Sequence, residues 1–183
     1  MRDLIVTENI TLDGVIEAAE WFAVANAEGV DQSDLTAVLG THMASSDAVL
    51  FGRVTFEEMR GYWPKQIDDP SGVTDHLNKT TKYVVSSTLA DPEWENTVIL
   101  GGVDELRAVR EQPGKDIVAT GSIQLVHALI AADLVDEYRL FVYPVVQGTG
   151  RRLFADAARI PALRLIETLP FNSGVVLLRY RRP

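Results

Sequence analysis

The 183-residue chain carries 26 Asp and Glu residues against 17 Lys and Arg residues, so its formal net charge is −9 at pH 7. This surplus argues against general binding to nucleic acid or to an anionic membrane, and an anionic ligand would need a local cationic pocket. Cysteine is absent, which excludes disulfides, thiol nucleophiles and cysteine-ligated zinc and leaves the redox compartment undecided.

Length predicts a single domain over residues 1–183 with a substantial core. The N-terminus lacks the charged and apolar pattern of a signal peptide. No apolar run approaches the roughly 20 residues that span a bilayer. We therefore expect a cytoplasmic protein.

The first element is a strand at Leu4–Thr11, where apolar and polar residues alternate. Residues 15–31 show no clean periodicity and are predicted to be a long loop or a partly helical segment. Ser33 is predicted to cap a helix, with apolar residues at helical spacing up to about Ser46.

Residues 48–60 are predicted to form a strand, a tight turn and a helix. Residues 48–51 are an apolar run typical of a buried parallel strand, and Gly52 permits a tight turn. Thr55 is predicted to cap a helix over residues 56–60. Its two glutamates, Glu57 and Glu58, lie where the helix dipole favours negative side chains. Free backbone N–H groups at such a terminus, with Arg53 beside them, would suit a phosphate. An ordinary strand-to-helix turn with a solvated arginine is the alternative.

Strands and helices continue to alternate along the middle of the chain. Strands are predicted at 82–86, Thr97–Leu100 and Asp116–Thr120, and helices at 103–111 and 122–132. This alternation predicts a parallel sheet with helices on both faces.

The last quarter changes to strands joined by short turns. A long alternating strand is predicted at 137–146, followed by a hairpin of residues 163–169 and 174–180. The whole pattern predicts one α/β domain with a mixed, mostly parallel sheet of about eight strands and an antiparallel hairpin at its C-terminal end.

Three predicted strand ends carry glycine or hydroxyl residues at 52–55, 86–88 and 121–122. In open α/β sheets, ligands bind beyond the carboxyl ends of the strands, so these turns would meet at one edge. Together they indicate a dinucleotide lying across the sheet, and ordinary turn chemistry is the alternative. Neither the usual Rossmann glycine fingerprint nor a P-loop is present.

Short motifs then run along nearly the whole chain in a fixed order. They are Thr-Leu-Asp-Gly at 11–14, Phe-Gly-Arg-Val-Thr-Phe-Glu at 51–57, Gly-Tyr-Trp-Pro at 61–64, Val-Val-Ser-Ser-Thr-Leu at 84–89, Gly-Ser at 121–122, Leu-Val-Asp-Glu-Tyr at 134–138, Pro-Val-Val-Gln-Gly at 144–148 and Arg-Leu-Phe at 152–154. By these motifs the chain resembles the dihydrofolate reductase-like superfamily, and more closely its branch with the reductase domain of bacterial riboflavin biosynthesis.

The resemblance implies a dihydrofolate reductase-like fold that binds NADPH. In such proteins, the Gly-Arg-x-Thr turn and the Ser-Ser strand end hold the 2′-phosphate half of NADPH, and a Gly-Ser turn holds the pyrophosphate. In this sequence, the residues that match the site of the 2′-phosphate half are Gly52, Arg53, Thr55, Ser86 and Ser87. Those that match the pyrophosphate site are Gly121 and Ser122.

The resemblance also implies two candidate catalytic residues on the substrate side. Asp34 lies near the place of the acidic residue that helps dihydrofolate reductases protonate a pterin, although it could simply favour a helix N-terminus. Asp13 lies near where the family places its nicotinamide and substrate, although an ordinary Asp-Gly turn is the alternative. The three histidines are scattered without ligand spacing, so no metal site is expected.

The resulting expectation is an NADPH-dependent oxidoreductase. It would pass a hydride to a pterin-like or ribosylaminopyrimidine-like substrate, as a 5-amino-6-(5-phosphoribosylamino)uracil reductase does. The alternatives are a non-catalytic module that binds NADPH or another nucleotide, and a dihydrofolate reductase proper. The resemblance further suggests a two-fold homodimer that meets through residues 138–146 and 151–154.

Overall fold

A computed structural model describes residues 1–18, 20–25, 29–154 and 162–183. Within these ranges, residues 63–65 form a short 3₁₀ turn. The helices are α1 (Glu20–Ala25), α2 (Ser33–Ala44), α3 (Arg53–Tyr62), α4 (Val73–Lys79), α5 (Glu105–Glu111) and α6 (Ile123–Ala131). The strands are β1 (Leu4–Thr11), β2 (Ser46–Gly52), β3 (Thr81–Val85), β4 (Thr97–Leu100), β5 (Asp116–Thr120), β6 (Glu137–Tyr143), β7 (Arg164–Pro170) and β8 (Val176–Arg181).

The strands of these ranges form one sheet of eight, in the order β4-β3-β2-β5-β1-β6-β8-β7. The pairs between β4 and β6 are parallel, and β8 pairs antiparallel with both β6 and β7. The predicted α/β architecture, a mixed and mostly parallel sheet with a C-terminal hairpin, is therefore confirmed.

Both faces of the sheet are covered by helices, as predicted. Alternate residues of β2 show this, because Leu50 packs in the cluster that contains α5 and α6, whereas Phe51 packs against Phe56 of α3. A third cluster joins Leu35 of α2 to Phe141 of β6. None of the helices in the described ranges has the length and apolar character needed to cross a bilayer.

The predicted start of α3 is wrong. Gly52 is the N-cap, with an extended backbone (φ −83°, ψ 165°), and the helix begins at Arg53. Thr55 therefore lies inside the first turn and does not cap the helix, and that turn contains no acidic residue. Glycine serves as the cap here because the chain needs close contact with a neighbouring turn, which a sequence pattern does not reveal.

Other boundaries shift for local reasons. Ser33 is the first residue of α2 and not its cap, because Asp31 Oδ1 accepts hydrogen bonds from both its N–H (3.0 Å) and its hydroxyl (2.7 Å). β6 ends at Tyr143, three residues before the predicted end, since Pro144 has no N–H to donate to a sheet. Of residues 15–31, Glu20–Ala25 is helical, and residues 19 and 26–28 lie outside the described residues.

The strand portion of the expected dimer surface is buried within this chain. β6 lies between β1 and β8, and Tyr138, Phe141 and Tyr143 are each 3% exposed. The chain's own elements cover these side chains, and the homodimer itself stays a prediction. The exposed apolar residues in the two predicted segments are Val146 and Phe154.

A buried ion network crosses β6 and β8. Glu137 is 2% exposed, and its Oε1 accepts hydrogen bonds from Nε of Arg139 and Nε of Arg179, each at 2.8 Å. Burial raises the pKa of Glu137, but the hydrogen bonds from Arg179 and Arg139 and the positive charges of both together outweigh it, so this pKa lies below its ordinary value. Arg179 also donates to Glu167 on β7, which joins the hairpin to the centre of the sheet.

Candidate functional site

A cavity of about 800 Å³ opens at the carboxyl edge of the parallel strands. Its lining comes from the ends of β2, β3 and β5 and from the first turns of α3 and α6. The fold therefore brings together the three strand-end segments that the sequence singled out. All seven residues assigned to a cofactor by resemblance line this cavity: Gly52, Arg53, Thr55, Ser86, Ser87, Gly121 and Ser122.

Two turns of this cavity interlock. The N–H of Gly52 donates to Ser122 Oγ at 2.7 Å, and a Cβ on Gly52 would lie 3.1 Å from that oxygen. Gly121 has φ +64°, and its own Cβ would lie 3.3 Å from Thr55 Cγ2. A Cβ at either position would therefore crowd a side chain of the neighbouring turn, so glycine favours the close approach of the two helix N-termini. Since Ser122 Oγ accepts from Gly52, its hydroxyl hydrogen remains able to donate to a ligand.

The close approach at Gly121 gives a testable prediction. Gly121→Ala is expected to lower the free energy of unfolding by more than Gly72→Ala. Both glycines have a left-handed backbone, which costs an alanine roughly 1–2 kcal/mol, but a Cβ on Gly72 (φ +73°) meets nothing within 4 Å. Chemical denaturation of the two variants measures the difference. Equal losses would show that the contact with Thr55 relaxes without cost.

Arg53 is the cation of the first turn. Its side chain is 43% exposed, and its Nη1 donates to Glu57 Oε2 at 2.8 Å, one helical turn away. An exposed pair of this kind contributes little free energy, so a phosphate can replace the carboxylate. At the neighbouring strand end, Ser86 Oγ accepts from the N–H groups of Thr88 (3.1 Å) and Leu89 (3.0 Å). The Ser86 hydroxyl hydrogen is therefore also able to serve as a donor.

Asp13 is not one of the described residues that line the cavity. Its Oδ1 accepts from the Thr11 hydroxyl (2.6 Å) and the N–H of Gln147 (3.1 Å), and its Oδ2 accepts from the N–H of Gly148 (2.8 Å). These bonds, with that of Thr11 the strongest, lower the pKa of Asp13 to about 2. Asp13 is thus an ionised anchor that fastens the chain after β6 to the turn after β1.

Asp34 is also engaged and also lies outside the described lining. Its Oδ2 accepts from the N–H of Asn172 at 2.9 Å, and its Oδ1 accepts from the N–H of Leu35 at 2.8 Å. The carboxylate therefore ties the start of α2 to the turn between β7 and β8. The structure does not bring Asp34 together with the seven cavity residues.

Sequence reasoning missed an ion pair in the cavity wall. Glu17 Oε1 accepts from Nε of Arg151 at 2.9 Å, and both residues line the cavity. Hydrogen bonds from Arg151 lower the pKa of Glu17. The backbone carbonyl of Glu17 accepts from Trp21 Nε1 at 3.0 Å, so α1 is fixed to the same wall. No local signal could have joined two residues that lie 134 positions apart.

A buried carboxyl, Glu8, was also missed. It is 6% exposed, and its Oε1 has no hydrogen-bond partner among the described residues. Burial raises its pKa to about 8, which the nearby N–H of Gly121 partly opposes. A sequence signal existed, because Glu8 follows Leu4 and Val6 at the spacing of two that places their side chains on one face of a strand.

Comparison with known proteins agrees with this architecture. The family model of the RibD C-terminal domain matches residues 2–177. The chain is 32% identical to YyaP of Bacillus subtilis (strain 168), a protein described as uncharacterized, over 98% of this chain and 94% of that protein.

Two solved structures share the fold. A putative riboflavin biosynthesis protein from Shewanella sp. PV-4 matches with a TM-score of 0.70 and 19% identity, over 99% of each chain. Dihydrofolate reductase from Enterococcus faecalis, solved with NADP(H) and RAB-propyl, matches with a TM-score of 0.63 and 17% identity, over 98% of this chain and 96% of that chain. The resemblance inferred from the ordered motifs is confirmed, and the chain belongs to the RibD C-terminal domain family.

Proposed function

We propose that this protein is an NADPH-dependent reductase that transfers a hydride to a pterin-like or ribosylaminopyrimidine-like substrate. The observation that carries the proposal is the convergence of two helix N-termini, an arginine and serine hydroxyls on one cavity of about 800 Å³. Such donors suit a ligand with separated phosphates. The family and the dihydrofolate reductase likeness support a nicotinamide cofactor.

The residues present fit such a cofactor. Arg53 offers a planar fork to the 2′-phosphate, and Ser86 and Ser87 offer hydroxyls at the neighbouring strand end. Gly121 lets a diphosphate approach the backbone, and Ser122 stands at the start of α6, where the helix dipole favours an anion. These local donors would offset the net charge of −9.

When bound, NADPH would supply the hydride, and the task of the chain would be to bind and orient it. The interlocked turns at Gly52 and Gly121 hold the two helix N-termini at a fixed separation. The Glu17–Arg151 pair forms part of one wall of the cavity and would fix the position of Arg151 there. The substrate would then be held against the cofactor within the same cavity.

A second candidate function is a module that binds NADPH without turnover. The engagement of Asp13 and Asp34 favours it, because both carboxylates accept backbone hydrogen bonds away from the cavity lining. An acid with a pKa of about 2, as in Asp13, is a poor proton donor at neutral pH. The same observation counts against a dihydrofolate reductase proper, which needs a proton donor for its pterin.

The test is a pair of measurements on the purified protein. Calorimetry with NADPH reports binding, and the loss of NADPH absorbance with dihydropterin and ribosylaminopyrimidine substrates reports turnover. Binding with turnover supports the reductase. Binding without turnover on either substrate class would favour the binding module, and absence of NADPH binding would refute both.

Assembly gives a further prediction from the same family resemblance. We expect a homodimer, with Val146 and Phe154 contributing because they remain exposed in this chain (71% and 39%). Light scattering at micromolar concentration should give twice the monomer mass of 20.2 kDa. A Val146→Asp, Phe154→Ser double variant should lower the measured mass toward the monomer. Monomer mass for the unaltered protein would contradict the prediction.

A further inference from the structure

We propose that Glu8 couples the binding of a phosphate-bearing ligand to the uptake of a proton, acting as a neutral carboxylic acid beneath the Gly121–Ser122 turn. This inference rests on the proposed function, because it assumes that this turn receives the diphosphate of a dinucleotide.

The position of Glu8 follows from strand register. Thr7 of β1 pairs with Thr120 of β5, so the next residues, Glu8 and Gly121, lie side by side where the cavity begins. Gly121 and Ser122 line the cavity, whereas Glu8 lies behind them and is 6% exposed. A group in this place acts on a bound anion through the turn and does not touch it.

The environment of Glu8 favours its neutral form. Burial raises its pKa to about 8, and its Oε1 has no hydrogen-bond partner among the described residues. An ionised carboxylate in such a place lacks the paired charge that buried charges normally require. At neutral pH, Glu8 therefore fills the space beneath the turn without adding a negative charge.

Burial also lowers the pKa of Lys82 to about 8, but Lys82 is on β3, which β2 and β5 separate from β1. Tyr138 of β6 has its pKa raised by burial to about 12 and stays neutral. Asp116 lies at the end of β5 that is away from the cavity. It directly precedes Ile117, which packs in the apolar cluster, so the two residues face opposite sides of the sheet. On α5, Arg110 is held by the carbonyl oxygens of Arg2 and Leu134.

The groups nearer the cavity have their own partners. His127 of α6 lies with Nε2 2.8 Å from the carbonyl oxygen of Arg152. The guanidinium groups of Arg53 and Arg151 pair with Glu57 and Glu17 respectively. Glu58 also lines the cavity but is exposed to solvent, which screens its charge.

Ionisation of Glu8 would place a negative charge beside the turn that receives the diphosphate. Like charges in partly buried surroundings repel strongly enough to lower affinity about tenfold. By linkage, a ligand that prefers the neutral form raises the proton occupancy of Glu8 when it binds. Near the pKa, about half a proton should be taken up for each ligand bound.

The experiment is calorimetry with NADPH and with ADP-ribose, which carries the diphosphate but neither the nicotinamide nor the 2′-phosphate. Titrations at about pH 8 in buffers of different ionisation enthalpy measure proton uptake on the unaltered protein. The dissociation constants are also followed from about pH 7 to about pH 9.5. Glu8→Gln removes the titrating group with little change of shape, and Glu58→Gln is the control that removes an exposed cavity carboxylate.

Proton uptake near pH 8, with affinity that falls about tenfold toward high pH, is expected for the unaltered protein and for Glu58→Gln. Glu8→Gln should show neither effect. The same result with ADP-ribose alone would support the role of Glu8 even if NADPH does not bind, which separates this inference from the reductase proposal. Absence of proton uptake in the unaltered protein, persistence of the pH dependence in Glu8→Gln, or failure of both ligands to bind would overturn it.

Discussion

Arg53→Ala is expected to weaken NADPH binding by about ten- to a hundredfold and to leave NADH binding nearly unchanged. Hydrogen bonds to charged groups contribute roughly 1.5–3 kcal/mol, and 1.4 kcal/mol corresponds to a factor of ten. Arg53 lines the cavity at the start of α3, and Ser86 and Ser87, which follow β3, line the same cavity. NADH lacks the 2′-phosphate, so it should not depend on this guanidinium.

Calorimetry with both nucleotides measures the effect, and Glu57→Gln is the matched control. Glu57 accepts the hydrogen bond from Arg53 at 2.8 Å, so its replacement frees the guanidinium without removing it. We expect NADPH to bind this variant as tightly as the unaltered protein or somewhat more tightly. Equal losses of NADPH and NADH affinity in Arg53→Ala would mean that Arg53 does not recognise the 2′-phosphate.

Glu137→Gln is expected to lower the free energy of unfolding by about 3–5 kcal/mol, the typical cost of removing one partner of a buried ion pair. Glu137 is 2% exposed and accepts from both Arg139 and Arg179 at 2.8 Å. Its loss would leave two guanidinium groups without their shared carboxylate, one of them on Arg139, which is 4% exposed.

Glu167→Gln is the control for this variant, because Glu167 bonds to Arg179 from an exposed position (42% of its side chain). An exposed partner should contribute only about 0–1 kcal/mol, as measured by chemical denaturation. The folded-state pKa of Glu137 lies below its ordinary value of 4.5, so its stabilisation is present above that pH and is lost as pH falls through the folded-state pKa. Glu137→Gln should therefore lose less stability than the unaltered protein on acidification. Similar losses in the two glutamine variants at neutral pH would contradict this account.

Much of the fold could be predicted because its local patterns are clear. The bounds of β1, β4 and β5 agree with those predicted from alternation and apolar runs. The start of α3 could not be predicted, because Thr55 has the better capping side chain by local preference. Gly52 is the N-cap in the structure, where its N–H donates to Ser122, seventy positions away. Tertiary contact outweighed local preference at that point.

The candidate site could likewise be predicted from the sequence only in part. Glycine and hydroxyl residues at strand ends predicted the cavity, because parallel topology alone brings such ends together. The sequence could not predict that the Asp13 carboxylate is occupied by backbone N–H groups of Gln147 and Gly148, which belong to a distant segment. Glu8 was available to sequence reasoning as a single acidic residue among apolar neighbours on one strand face.

The central place of β1 has a consequence for biosynthesis. Among the eight described strands, β1 is synthesised before the others. Its partners are β5, whose pairing starts at Leu4↔Ile117, and β6, whose pairing starts at Ile5↔Glu137. On the ribosome, β1 must therefore wait for more than a hundred residues before either of its edges is paired. A nascent chain arrested before β6 would keep one edge of β1 open, and such unpaired edges promote aggregation. Slow elongation is thus expected to increase this protein's dependence on chaperones.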